Sequence, residues 1–100
     1  MIRRTRIAQQ SEKRKVEQRE WQRVAEAALR RDSHTCQAAN LVPDLACKGR
    51  LDPHHIATKR RAPELRLSLS NLVTLCRAHH DWTHAHPYEA ERLGLLDEGH

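Results

Sequence analysis

The chain has 100 residues, a net charge of +5, and no Phe, one Tyr and two Trp. So short a chain with so few aromatics makes one small domain with a thin apolar core, which excludes a large multidomain enzyme and asks for a metal or covalent staple. Three Cys cannot close a disulfide framework, and with eight His beside them they point to metal ligation in a reducing compartment.

No apolar run approaches the length of a membrane span, and the N-terminus lacks the apolar core of a signal peptide. The chain is therefore expected to be soluble and cytoplasmic, with no membrane partner. Its charge is uneven. Residues 1–31 hold ten Lys/Arg against four Asp/Glu, and the other 69 hold eight against nine. A basic arm on a near-neutral domain suits a polyanion such as nucleic acid.

Residues 1–10 show no clean period and read as a disordered basic tail. From Ser11 to Arg31 no Gly or Pro interrupts, and Trp21, Val24, Ala25, Ala28 and Leu29 form one apolar stripe at helical spacing. Trp21 is expected to dock this helix on the domain rather than to stack on a base. The earlier half of the helix has no face to bury, and a solvated extension and a DNA-contacting arm fit it equally. Asp32-Ser33-His34 end the helix, and residues 37–46 read as a loop turning at Pro43-Asp44. Cys47-Lys48-Gly49 is a tight turn, with Gly49 free to take positive φ. Residues 50–54 form a short strand, which Pro53 confines to an edge or a bend. Glu64-Leu65-Arg66-Leu67-Ser68-Leu69 alternates in a way that suits strand or extended loop. Leu72-Val73-Thr74-Leu75 is a second strand, Arg77 to Ala85 a helix stopped by Pro87, and Tyr88 to Leu93 a further turn or two before Gly94. Trp82 should pack the 77–85 helix onto the strands.

Two groups of residues carry chemistry. Cys36, Cys47, Cys76 and one histidine supply three sulfurs and a nitrogen, the closed tetrahedral set of a structural zinc. Cys76 and His79 lie three apart at a helix start and can face one ion, with His34 as the competing fourth ligand. In the second group, His54 and His55 are neighbours on an extended segment and point different ways. His80 and His84 share a helix face. His54 and His80, with His84 beside them, can hold one divalent ion with open positions. His55 is left as a neutral imidazole suited to general-base work, and Asn71 can tie down the loop around it. Imidazole ligands suit Mn, Ni, Co or Zn, whereas Mg prefers oxygen; Mg, Mn, Ni and Zn all stay open as the working ion. Lys59, Arg60 and Arg61 form a basic loop after the histidine pair and are candidates for phosphate contact.

Gly49-Arg50-Leu51-Asp52-Pro53-His54-His55-Ile56, Asn71-Leu72-Val73-Thr74-Leu75-Cys76, His80 and His84 together resemble the HNH endonucleases of the ββα-metal (His-Me finger) superfamily, and among them small phage and prophage HNH proteins. The resemblance covers about residues 33–96. It implies an α+β fold: a ββα-metal nuclease domain over residues 32–96 with a structural zinc site, behind a basic tail and helix over 1–31, and with a C-terminal tail at 97–100. It implies His54 and His80 as ligands of the catalytic ion, His55 as the base that activates water, and Asn71 as the residue that orients the base. It implies His84 as a third ligand or a phosphate contact. The activity it implies is one-metal hydrolysis of DNA phosphodiesters with low sequence specificity, leaving 5′-phosphate and 3′-hydroxyl ends, in a bacterial host cell and beside a phage terminase. The family's two C-x-x-C pairs are altered here: ten residues separate Cys36 from Cys47, and the second pair ends in His79. A noncatalytic zinc module that binds nucleic acid or protein is the rival reading. It would need the cysteines but not His55.

Overall fold

A computed structural model describes residues 6–99 of the chain, with side chains from residue 11 onward. Helix α1 spans Arg6–Arg31. It starts five residues before the expected Ser11, because Ile7, Ala8, Gln9 and Gln10 are adequate helix formers with no breaker among them. The expected tail over residues 1–5 lies outside the described residues. The stripe Trp21, Val24, Ala25, Ala28 and Leu29 is the face that α1 buries, completely so at Ala28, while residues 12–16 are exposed.

The helix ends without a glycine. Ser33 and His34 both take φ 53°. The His34 N–H donates to the Leu29 carbonyl at 2.8 Å and the Ser33 N–H to Arg30 at 3.1 Å, a Schellman closure. Left-handed backbone at two ordinary residues is costly. It is held by the pair just before it. Arg31 grips Asp32 through two bonds of 2.9 and 2.8 Å and also donates to the carbonyls of Leu69 and Leu72, at 2.9 and 2.6 Å. Asp32 in turn accepts the Thr74 N–H at 3.1 Å.

Strand β1 (Leu51–His55) pairs antiparallel with β2 (Leu72–Cys76), with Leu51 opposite Cys76, Pro53 opposite Thr74 and His55 opposite Leu72. A two-stranded sheet has two free edges, which proteins cover or charge. Here the outward groups of β2 are taken by the end of α1 and the loop after it: Thr74 N–H by Asp32, Thr74 C=O by the Gln37 N–H at 2.9 Å, and Leu72 C=O by Arg31. Because Thr74 turns its backbone away from β1, the missing N–H of Pro53 opposite it costs no ladder bond.

Helix α2 (Arg77–Ala85) follows β2 directly, and α3 (Pro87–Arg92) follows α2. Gly94, at φ 80°, closes α3 with the Leu95 N–H reaching back to the Ala90 carbonyl at 2.9 Å. The core is small: Ala38, Leu75, Cys76, Ala90, Leu95 and Leu96, with Trp82 and Val73 packed against it. The leucines of 65–69 form neither a strand nor a buried face. Short 3-10 turns at Pro63–Leu65 and Leu69–Asn71 take their place, leaving Leu65 and Leu69 exposed. Among the described residues no helix is long and apolar enough to cross a membrane.

Arg31 is thus a structural residue drawn from a basic run. Arg31→Ala should cost about 1–3 kcal/mol through the two carbonyls it leaves unmet. Urea unfolding of the metal-loaded protein measures this; an unchanged midpoint would show that the guanidinium braces nothing.

Candidate functional site

Cys36 follows the cap of α1, Cys47 lies on the turn before β1, Cys76 ends β2, and His79 sits in the first turn of α2. Their ligand atoms all lie within 4.8 Å of one another. His79 Nδ1 is 3.1 Å from Cys76 Sγ and 3.6 Å from Cys47 Sγ. A tetrahedral ion at the usual zinc distances holds its ligand atoms roughly 3.5–3.8 Å apart, so little movement separates this cluster from a bound state. His79, not His34, joins the three sulfurs; His34 is exposed in the α1 cap. The other His79 nitrogen, Nε2, lies 3.2 Å from the Val42 carbonyl. Donation there fixes the tautomer that leaves Nδ1 as a ligand.

Local sequence builds this cluster. The turn through Lys48 and Arg50 accepts the Ala78 and Arg77 N–H groups at 3.1 and 2.9 Å. Gly49 (φ 84°) makes that approach possible, since a Cβ there would fall 2.6 Å from the Arg77 Cβ. The thiols differ in acidity. Burial alone would raise Cys76, but donation from the His79 and Lys48 backbone N–H groups, with the His79 ring beside the sulfur, outweighs it and brings its pKa to about 6. Cys47 is an exposed residue whose sulfur nonetheless turns into the cluster. Burial of that thiol, then the sulfurs of Cys76 and Cys36, push it up to about 12. Three sulfurs this close ionise together only around a cation, which is the chemistry of a metal centre.

The second group lies on the other side of the sheet's end. His54, His80 and His84 bring ligand atoms within 4.8 Å of one another. The His54 ring centroid is 5.1 Å from that of His80 and 5.4 Å from that of His84, and His80 and His84 are 5.1 Å apart. His54 is buried, and its Nε2 donates to the Leu95 carbonyl at 2.7 Å, leaving Nδ1 for an ion. His80 Nδ1 lies 3.4 Å from Asp52 Oδ2, leaving Nε2. Asp52 is itself held by Arg50 and Arg77, at 3.1 and 3.3 Å. Burial takes the His54 pKa down to about 4, against the Leu95 bond that raises it, and burial followed by the nearby His80 also lowers His84. Both rings are neutral near pH 7, the form that binds metal.

His55 follows His54 on β1 and points elsewhere, as alternation requires. Its ring stacks on Trp21 of α1, with centroids 5.1 Å apart and planes 18° from parallel. Nε2 donates to the Arg66 carbonyl at 2.9 Å, which leaves Nδ1 as the basic nitrogen. Burial, partly offset by that bond, holds the pKa below the ordinary 6.5. Asn71, buried, pins the loop: its Oδ1 accepts the Ala57 N–H at 2.8 Å, and its Nδ2 donates to Ala57 and Leu65 carbonyls at 3.0 and 3.3 Å. Fixing Leu65 fixes the neighbouring Arg66 carbonyl, and so the ring of His55. A cleft of about 290 Å³ joins these residues, lined by Trp21, His54, His55, Lys59, His80 and His84 among others.

Of the basic loop, Lys59 borders this cleft, Arg60 is exposed, and Arg61 is engaged by the Asp97 carboxylate. Sequence reasoning missed the hold of Asp52 on His80, the stacking of Trp21 on His55, and the carbonyls of Leu95, Arg66 and Val42. Asp52 had a signal, standing two places before His54 on a strand. Backbone carbonyls have none. Comparison of the chain with protein-family models, curated proteins and solved structures finds no match.

Metal removal tests the thiol cluster. Structural zinc sites are worth roughly 10–16 kcal/mol, comparable with the whole stability of a small domain, about 5–15 kcal/mol. A strong chelator should therefore abolish the cooperative thermal transition and most far-ultraviolet dichroism, and Cys36→Ser should do the same without it. An unchanged melting curve would show that the cluster holds no stabilising ion.

Proposed function

We propose that this protein is a metal-dependent endonuclease that hydrolyses DNA phosphodiester bonds, with a ββα-metal architecture formed by β1, β2 and α2 and a structural zinc at Cys36, Cys47, Cys76 and His79. One observation carries the reading. Three imidazoles converge on one cleft, and a fourth, His55, lines the same cleft with its Nδ1 uncommitted and its other nitrogen tied to a carbonyl. A structural site has no use for that fourth ring.

The chemistry follows from what phosphodiester hydrolysis demands. Water must lose a proton, and the five-coordinate phosphate and departing 3′ oxygen gather negative charge. A divalent ion held by His54, His80 and His84 would supply Lewis acidity toward that charge. His55 Nδ1 takes the proton from water. The Arg66 carbonyl accepts from Nε2–H and steadies the imidazolium that forms, as an acceptor behind a base does. Asn71 keeps the loop that carries this carbonyl in place. Trp21 closes one face of the ring and limits its rotation. Lys59, at the rim of the cleft, is placed to meet a phosphate oxygen. Low sequence specificity and a role beside a phage terminase fit the resemblance drawn from the sequence.

Supercoiled plasmid incubated with Mg, Mn, Ni or Zn should be nicked, and His55→Ala should reduce the rate by about 10²–10⁴-fold with its fold and zinc intact. Equal nicking by both proteins would point to a contaminant or another centre. Duplex binding by both proteins with no nicking by either would leave a zinc module. The pH dependence has a definite sign. Because the His55 pKa is lowered from 6.5, its base form persists through neutrality, and the acid limb of the rate should lie below pH 6.5. A limb above 7 would exclude His55 as the base.

A further inference from the structure

A second cleft, of about 420 Å³, lies against the first. Trp21, His55 and Lys59 line both, so the two clefts adjoin at that shared wall; together they are called the trough. One end holds the histidine triad. The other runs between α1 and the loop that follows β1, where Arg14 and Gln18 face Lys59 and Arg66 across it. Glu17 also lines this end, 3.7 Å from the Arg66 guanidinium, so three cations stand against one carboxylate there. The spacing on α1 is not incidental. Arg14, Gln18 and Trp21 lie at i, i+4 and i+7, one helix face, and Trp21 anchors that face against His55.

We propose that this far end of the trough is a nucleic-acid backbone site, which seats the strand leading away from the scissile phosphate and contacts its phosphates through Arg14, Lys59 and Arg66, with Gln18 as a hydrogen-bonding partner. This rests on the nuclease reading for the direction of the strand and extends it in two ways. It gives the N-terminal helix a task in binding, and it identifies which of the many cations of α1 perform it. Lys13, Lys15, Arg19 and Arg23 do not line the trough's second cleft and serve as internal controls. The strand's path explains the choice of a polyanion over a small anion. Cations spread along a groove that ends at the imidazoles match a chain of phosphates better than one phosphate. Glu17 fits as a brace: without substrate it holds Arg66 across the groove, and phosphates compete with it for the guanidinium.

The test uses the full chain, zinc-loaded, without a second divalent ion, and a short fluorescein-labelled DNA duplex. Affinity is read by anisotropy over a salt series. Removing one cation that pairs with a phosphate should lower the slope of log K against log[salt] by about 0.9. Arg14→Ala and Arg66→Ala should each flatten the slope by about that amount and weaken binding at least several-fold, whereas Lys13→Ala and Arg23→Ala should leave the slope within error. Equal losses from all four variants would mean diffuse charge attraction to the helix and overturn the site, as would full affinity in Arg14→Ala/Arg66→Ala. The nuclease reading fails separately. Trough-dependent binding without metal-dependent nicking sinks the hydrolase and keeps the site, whereas nicking that is insensitive to Arg14 and Arg66 sinks the site and keeps the hydrolase.

Discussion

Cys76 occupies three roles at once. It is the last residue of β2, the cap of α2, where its sulfur accepts the His79 N–H at 3.4 Å, and a member of the thiol cluster. Opposite Leu51 in the register, it also fixes where β1 runs beneath the start of α2. From that single anchor the helix leaves the sheet in one direction only. Three residues on, His79 reaches back to the sulfurs; four and eight on, His80 and His84 come over His54. The two candidate metal centres are therefore set by one junction, one on each side of it.

This explains how so small a core positions so many polar groups. Burying His54, His79, Asn71, Thr74 and Thr83 would be costly without partners. Among the described residues no buried side-chain nitrogen or oxygen lacks a hydrogen-bond partner. His54 has the Leu95 carbonyl, Asn71 the Ala57 backbone, and Thr83 the His79 carbonyl at 2.8 Å. The polar interior is a set of such ties, and those made to His54 and His79 decide which ring nitrogen is left free. The proposed function and the stability thus draw on the same bonds.

Much of this was legible in the residues because spacing maps directly onto geometry. His80 and His84, a turn apart, had to share a face. His54 and His55, adjacent on a strand, had to diverge. Pro87 and Gly94 had to end their helices, and the Cys76-His79 interval had to suit one ion. What stayed illegible depended on contacts far apart in the chain. Nothing near Arg31 says that its guanidinium will cap carbonyls of Leu69 and Leu72, some forty residues on. Trp21 was readable as an anchor of α1, but what it would anchor against was not, since its partner His55 lies thirty-four residues away. Of the two readings open for the 64–69 alternation, strand fails for a plainer reason: a strand needs a neighbour, and with β2's outer edge already taken by α1, Asp32 and Gln37, none is offered.

On the proposed reading the molecule is a small domain in which an ion at the thiol cluster holds the fold so that a second, at the histidine triad, can stand open beside a base. X-ray anomalous diffraction from crystals grown with nickel examines this most directly. An anomalous peak is expected among His54 Nδ1, His80 Nε2 and the His84 ring, with at least one coordination position facing the cleft that His55 borders. No peak at those three rings, in crystals whose thiol cluster is filled, would contradict it.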